Sequence, residues 1–281
     1  MTKGRIAFQG ELGANSHEAC ATYFPDYEPV PHPTFDEAFD AIRSGDCQLG
    51  MIPVENSIAG RVADVHHLLP NSGLKIVGEK FKPIRFQLMV NPGVKLEQVK
   101  TVQSMAIAIS QCKKTVKRLG LRAEPVGDTA GAARLLAPTP DPTRAAISPA
   151  LAAEIYGLEI LLRDIEDERH NTTRFLVMTA EPEPEPPPFT SPCITSFVFR
   201  VRNLPAALYK ALGGFATNGV NMTKLESYME DGAWTATFFY AEVDGRPEDR
   251  GLALAFEELR FFSERFEILG VYPADPFRAR V

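Results

Sequence analysis

The sequence predicts an α/β fold in two parts, a larger layered region with a largely parallel sheet and a smaller region of order βαββαβ. Three observations carry this. Short apolar runs alternate with helical patterns up to about residue 180, a proline-rich stretch follows, and beyond it strand and helix signals succeed one another as βαββαβ. With 281 residues the chain exceeds what one hydrophobic core ordinarily holds, so more than one domain is expected.

In the larger region Ile6–Gln9 reads as a strand, followed by a loop containing Gly10 and Gly13 and a helix from about Ser16. Thr34-Phe35-Asp36-Glu37 has the spacing of a capping box, with acids in the first turn where the helix dipole favours them. Phe35, Ala38, Phe39 and Ile42 then mark one buried face, and Gly45 is a suitable stop. Leu49–Val54 is the next strand, and Lys75–Val77, Phe86–Val90, Thr101–Gln103 and Ala145–Ile147 repeat the habit. Helices are expected around Ala106–Leu119, Thr129–Leu136 and Pro149–Tyr156.

Six of the twelve residues of Glu181–Pro192 are proline, which excludes a helix or a central strand and predicts an extended spacer. The expected limits are therefore 1–180, a linker at 181–192, and 193–281. In the last part Thr195–Val201 is a strand and Ala206–Thr217 a helix, with Leu208, Leu212, Phe215 and Ala216 on one face. Asn221–Met229 and Ala233–Val243 form two strands joined at Glu230-Asp231-Gly232, a hairpin signal. An amphipathic helix over Glu248–Arg265 and a strand at Ile268–Tyr272 complete a ferredoxin-like arrangement.

Hydrophobic residues make up 44% and charged residues 23%, the mix of a soluble globular protein. A net charge of −6 disfavours nucleic acid or an anionic membrane as partner. The basic run Lys113–Arg118 fits a solvated helix face. Cys20, Cys47, Cys112 and Cys193 lie far apart and predict reduced thiols. The opening Met1–Gly10 runs into a strand instead of the apolar centre of a secretion signal, and no apolar stretch reaches membrane-spanning length. A cytoplasmic protein is expected. The adjacent His66 and His67 would point to different sides of a helix, a poor metal pair.

Three loop tracts concentrate small polar side chains. In Ile52–Gly60 a strand end leads into Glu55-Asn56-Ser57, offering an amide, a hydroxyl and turn N–H groups to an anion. In Ser104–Cys112, Ser104 stands where a strand should enter a helix, a suitable N-cap, and Gln111 follows. The third tract, Asn171-Thr172-Thr173-Arg174-Phe175, opens an apolar strand. In α/β folds ligands bind beyond the carboxyl ends of strands, which makes such loops the places to examine.

Together and in this order these tracts resemble the signature segments of prephenate dehydratase. The resemblance extends to Gly10–Ser16, Asp128–Ala133 and Ala152–Leu158, and covers nearly the whole chain. The last part resembles the ACT regulatory domain attached to those enzymes, through Pro205–Lys210 and Gly219–Ser227. What the resemblance implies is a two-lobed α/β catalytic region, similar to periplasmic binding proteins, and a decarboxylating dehydration of prephenate to phenylpyruvate in phenylalanine biosynthesis. Aromatisation drives that reaction, so no metal or organic cofactor is implied. Thr173 matches the catalytic threonine, with Asn56, Ser104 and Gln111 as polar partners around the substrate. Arg174 would hold a carboxylate, and Phe175, Thr172, Asn171, Glu55, Ser57, Ala14 and Asn15 would line the site. L-Phenylalanine would bind the ACT-like part at Asn203, Leu204, Pro205, Ala206, Ala207, Leu208, Asn221, Glu226 and Ser227, in a homodimer or homotetramer.

The chain departs from the family pattern at three places. Met105 stands where many relatives have histidine, and it cannot carry a proton. Ala14 replaces a threonine, with Asn15 and Ser16 beside it. Ala206 stands where a glycine is usual and Tyr228-Met229 where Arg-Pro is usual. Arogenate dehydratase and a non-catalytic solute sensor are the alternative readings.

Overall fold

A computed structural model describes residues 3–138, 141–181, 192–229 and 237–280. Positions 182–191 of the expected spacer, the turn at Glu230-Asp231-Gly232 and the start of the strand expected from Ala233 lie outside the described residues.

In chain order the elements begin β1 (Gly4–Gln9), α1 (Asn15–Tyr23), β2 (Tyr27–His32), α2 (Phe35–Arg43), β3 (Leu49–Asn56), β4 (Gly60–Arg61), α3 (Ala63–Leu68), β5 (Lys75–Pro83) and β6 (Gln87–Val90). They continue β7 (Thr101–Met105), α4 (Ala106–Gln111), α5 (Lys113–Arg118), β8 (Arg122–Val126), α6 (Thr129–Leu136), β9 (Arg144–Ser148), α7 (Ala150–Tyr156), β10 (Glu159–Leu162) and β11 (Thr172–Thr179). The remainder is β12 (Cys193–Val201), α8 (Ala207–Thr217), β13 (Met222–Tyr228), β14 (Phe238–Asp244), α9 (Arg250–Phe262) and β15 (Ser263–Pro273). Two compact units result, Met1–Val65 with Phe81–Phe175, and His66–Lys80 with Leu176–Val281.

The strands up to β11 form two sheets. One sheet has the order β2-β1-β3-β11-β5, with β4 on β3, and β1 runs parallel to both β2 and β3. The other has the order β10-β6-β9-β7-β8, parallel across β9-β7-β8 and antiparallel across β10-β6-β9. This second sheet is therefore mixed, where the alternation of strand and helix predicts a largely parallel one. Strand β2 escapes the sequence pattern because Pro29 and Pro31 interrupt it. It lies at a sheet edge, where prolines at alternate positions turn both missing N–H groups away from the ladder.

Period-two alternation sorts the second sheet's side chains onto two faces. Leu88, Val90, Ala145 and Ile147 pack with Ala108, Cys112 and Val116, while Met89 and Ala146 pack with the alanines of α6 and α7. In the first sheet Ile6, Phe8, Met51 and Phe175 close over Ala19 and Cys20 of α1. Of the expected capping box the N-cap bond forms, Thr34 Oγ1 accepting from the Glu37 N–H at 3.2 Å, a contact worth about 1 kcal/mol. The helix expected over Ala106–Leu119 is two helices, broken where Cys112 adopts φ −116°, ψ 18°. All four cysteines are buried thiols outside any disulfide, and burial pushes the thiols of Cys20 and Cys112 up.

The second unit contains an antiparallel sheet of order β13-β14-β12-β15, against which α8 and α9 pack. This is the ferredoxin-like arrangement. Its core is aromatic: Phe197 meets Phe256 edge-on at 5.1 Å and stacks on Phe215 at 5.8 Å. The helix expected to reach Arg265 ends at Phe262. Ser263 is already extended, and Phe266 and Ile268 alternate into the core, so the last strand begins five residues earlier than the sequence suggests. Ala206, at the N-cap of α8, has φ +62°, the left-handed region that glycine occupies freely and alanine only at about 1 kcal/mol.

On the sheet face away from the helices lies a polar network. Ser196 Oγ is 2.8 Å from the Tyr272 hydroxyl, and Tyr240 donates to Glu242 at 2.6 Å. Arg278, near the C-terminus, forks onto Glu79 at 2.6 and 2.9 Å and reaches Glu242 at 3.1 Å. Both carboxylates are buried. Backbone contact also holds the His66–Lys80 segment here, since a Cβ on Gly270 would come within 1.9 Å of the Ile76 carbonyl oxygen. No helix among the described residues is long and apolar enough to cross a membrane. Arg278→Ala removes the guanidinium that bridges two buried carboxylates and is expected to cost roughly 3–5 kcal/mol. Urea unfolding checks this, and a loss under about 1 kcal/mol would contradict it.

Candidate active site

The polar tracts expected from the sequence meet in the first unit, on the amide of Asn56. This residue ends β3, and its Oδ1 accepts from the N–H groups of Ile58 at 3.0 Å and Ala59 at 2.8 Å, closing the β3–β4 turn. The amide nitrogen donates the other way, to Asn171 Oδ1 at 2.8 Å and to Thr173 Oγ1 at 3.0 Å. Asn171, fully buried, passes the network to Gln111, its Nδ2 donating to Gln111 Oε1 at 3.0 Å. With its oxygen accepting from Asn56, the Thr173 hydroxyl keeps its hydrogen for another acceptor.

That hydroxyl faces a cavity of about 400 Å³. Its polar lining includes Asn56, Gln111, Thr173, Asn15 and Ser16, and its apolar lining Pro53, Ile84, Phe86, Met105, Ile107 and Phe175. The exposed side chains of Met105 and Ile107 thus form cavity wall. Among the described residues that line it, Arg61 is the one cation and Asp128 the one carboxylate. Burial raises the Asp128 carboxyl above its ordinary range. The charge of Glu11 adds to the shift, while N–H groups of Gly131, Ala130 and Thr129 oppose it.

The loop at one end of the cavity is built by the other segments that carry the family resemblance. Gly13, at φ +91°, lies so close to α7 that a Cβ would be 2.8 Å from Ala152 Cα. Tyr156 donates to the Leu12 carbonyl at 2.9 Å, and Arg134 of α6 pairs with Glu11 at 3.1 Å. His17 stacks on Phe8 at 5.4 Å, and its Nδ1 accepts from the Gly13 N–H at 2.9 Å. Burial lowers the His17 pKa, which favours the neutral ring this bond requires. Ala14 and Asn15, at the start of α1, thereby face the cavity.

Several expected site residues are elsewhere. Ser104 is no N-cap: it is a fully buried residue of β7 whose hydroxyl donates to the Ile147 carbonyl at 2.6 Å. Arg174 is not in the cavity wall. Alternation along β11 sends Thr173 and Phe175 to one face and Arg174 to the other, where its guanidinium lies 5.9 Å over the Phe81 ring. Thr172 and Ser57 bind each other, the Thr172 N–H donating to Ser57 Oγ at 3.0 Å and the Ser57 N–H to the Thr172 carbonyl at 2.9 Å. Glu55 stands opposite Arg61 in the β3–β4 register, outside the wall. Sequence reasoning missed Asp128 and Arg61 as site residues, although Asp128 heads one of the resembling segments.

In the second unit, Asn203–Ala206 form the exposed loop before α8, into which Ala207 and Leu208 lead. Asn221 donates to Asp244 Oδ2 at 2.7 Å, and Glu226 and Ser227 lie on β13. Tyr228 stacks on His66 at 4.0 Å. Among the described residues no group of three His, Cys, Asp or Glu could hold a metal ion.

Asn56→Asp replaces an amide donor by an acceptor opposite Asn171 Oδ1. It is expected to lower stability by about 1–3 kcal/mol, measured by thermal unfolding, and an unchanged melting temperature would contradict the network.

The family profile described as "Prephenate dehydratase" matches residues 6–183. A protein of Komagataeibacter europaeus named "Bifunctional N-acyl-homoserine lactone acylase/prephenate dehydratase" is 47% identical over 275 residues, 98% of each chain. "Arogenate dehydratase 2" of Petunia hybrida is 36% identical over 96% of this chain and 72% of its own length. The solved structure of prephenate dehydratase from Arthrobacter aurescens, in complex with L-Phe, superposes with a TM-score of 0.88 at 29% identity, covering 96% of this chain and 90% of that one. The chain is an enzyme of the prephenate dehydratase family.

Proposed function

We propose that the enzyme converts prephenate to phenylpyruvate, carbon dioxide and water, within phenylalanine biosynthesis. The observation that carries this reading is the Asn56–Thr173 hydrogen bond, which leaves the threonine hydrogen available at the cavity. In the reaction the bond from the ring to the carboxylate breaks, its electrons enter the ring, and the bond to the ring hydroxyl breaks as the aromatic system forms. The departing oxygen gains negative charge in the transition state, and the Thr173 O–H donates to it there. A threonine hydroxyl is too weak an acid to give up its proton outright, so stabilisation by hydrogen bond, with water completing the transfer, is the role assigned.

The apolar wall of Pro53, Ile84, Phe86 and Phe175 strips water from the carboxylate that leaves. Gln111 orients the substrate as a neutral donor and Asn56 holds the Thr173 hydroxyl in place, neither adding to the repulsion of a dianion. Arg61 is assigned the carboxylate contact that the sequence suggests for Arg174, because it lines the cavity and Arg174 does not. The ACT-like part, from residue 193 on, is assigned phenylalanine feedback through Asn203–Leu208 and Asn221, Glu226 and Ser227. The L-Phe complex of the Arthrobacter aurescens relative supports that assignment.

The test is incubation of the enzyme with prephenate, following phenylpyruvate by its absorbance in alkali. Wild type is expected to form it, Thr173→Ala is expected to lose at least 100-fold in kcat with KM little changed, as for loss of a transition-state contact, and added L-phenylalanine is expected to slow wild type. A Thr173→Ala enzyme with wild-type turnover would overturn the role of the hydroxyl.

A second reading draws on the bifunctional Komagataeibacter europaeus relative. The wall formed by Met105 and Ile107 suits an acyl chain as well as a ring. N-Acyl-homoserine lactones are then hydrolysed in the same cavity, and prephenate is expected to inhibit release of the free lactone amine. Hydrolysis unaffected by saturating prephenate would contradict a shared cavity.

A further inference from the structure

The loop that enters α1 is held by a side chain other than the usual cap. At the N-cap position Ala14 has no side-chain acceptor for the first N–H groups of the helix. The bond at this end comes from the first turn instead. His17 Nδ1 accepts from the Gly13 N–H, one residue ahead of the N-cap, at 2.9 Å. Phe8 of β1 fixes the ring in turn, the two lying with centroids 5.4 Å apart and planes at 5°. Gly13 has no room to shift toward α7, since a Cβ there would already be 2.8 Å from Ala152 Cα. The Ala14 N–H donates to the Glu11 carbonyl at 3.1 Å, which closes the loop on itself. What this fixed loop presents is the stretch Ala14–Ser16, part of the cavity wall.

We propose that His17 is a positioning residue for the reaction: its neutral ring pins the Gly13 N–H and so holds the Ala14–Ser16 wall in the shape that binds substrate. This rests on the reading of the cavity as the prephenate site. His17 does not itself line the cavity, so it acts through the loop. The bond depends on protonation. Nδ1 accepts only in the neutral imidazole, and an imidazolium would turn a second N–H toward that of Gly13. Burial lowers the pKa of His17, and the charge of Glu18 opposes this. Glu18 pairs with Lys82 of β5 at 2.5 Å, Glu11 in the loop with Arg134 of α6, and Asp128 heads α6 across Gly10 from Ala14. The pin is therefore complete at neutral pH and is released as pH falls below the ordinary histidine value.

The experiment compares wild type with His17→Phe, which keeps a ring against Phe8 and loses the acceptor, and His17→Asn, which keeps an acceptor that does not titrate. KM and kcat for prephenate are measured from about pH 8 down to about pH 5.5, across the ordinary histidine value, with uncatalysed decay subtracted. Isotope-labelled histidine reads the ring nitrogens by NMR, and the signal missing from the variants is that of His17. At the upper pH His17→Phe is expected to lose about tenfold in kcat/KM, mostly in KM, while His17→Asn stays near wild type. On acidification wild-type KM is expected to rise with the midpoint at which His17 takes up its proton, and KM of His17→Asn to stay level. A rise that persists in His17→Asn assigns the pH dependence to Asp128 or Glu11 and overturns the proposal. A wild-type KM that stays level while His17 titrates does the same. So do wild-type values in His17→Phe, or an asparagine variant no better than the phenylalanine variant at the upper pH. If His17→Phe fails to fold, the pH profile of His17→Asn decides alone. A wild type that forms no phenylpyruvate overturns the proposed reaction instead. Prephenate then persists, and its calorimetric affinity replaces KM in the same comparison. Equal affinity in wild type and His17→Phe, or no binding, overturns the pin.

Discussion

The side-chain amide of Asn56 is the contact on which the site depends. It joins the β3–β4 turn, the start of β11 and, through Asn171, the glutamine at the end of α4. Only an amide serves there, because one end must accept from turn N–H groups while the other donates to an amide oxygen and a hydroxyl. Three chain segments more than fifty residues apart are thereby held in fixed register. The chemical consequence is a directed Thr173 hydroxyl.

Around that hydroxyl the enzyme places few charges. A reaction driven by aromatisation asks for orientation, desolvation and one well-aimed donor, and the cavity wall is mostly neutral amides, hydroxyls and hydrocarbon. Met105, where a histidine is common, belongs to that hydrocarbon wall. In the proposed reaction Thr173, held by Asn56, carries the donor role without a basic side chain from that position. Of the two charges in the wall, Arg61 is the one proposed to meet a carboxylate.

Much of this was legible in the sequence. Thr34 capped its helix as its spacing requires, and Leu208, Leu212 and Phe215 turned to the core as their spacing implies. The site network of Asn56, Gln111, Asn171 and Thr173 could be named, though its hydrogen bonds could not. Arg174 was misplaced because β11 begins three residues earlier than its apolar run. Once Thr172 is in the strand, alternation parts Arg174 from Thr173. Ser104 was misread for the same reason, since β7 extends two residues beyond its apolar signal. The inclusion of His66–Lys80 in the second unit rests on a backbone approach at Gly270, and no local pattern reports such a contact. Asp128 caps α6 through one carboxylate oxygen. Its second oxygen becomes visible only when Gly10 and Ala14 are folded against it.

The central claim is that a hydroxyl hydrogen, aimed by Asn56, assists departure of the ring hydroxyl. Single-turnover decay of prephenate in Thr173→Ser and Thr173→Val tests it most directly, since serine keeps that hydrogen with one methyl group fewer and valine loses it at the volume of threonine. Serine is expected to stay within about tenfold of wild type and valine to fall a further hundredfold or more, in keeping with the loss of one transition-state donor. Equal rates in the two variants would contradict the account.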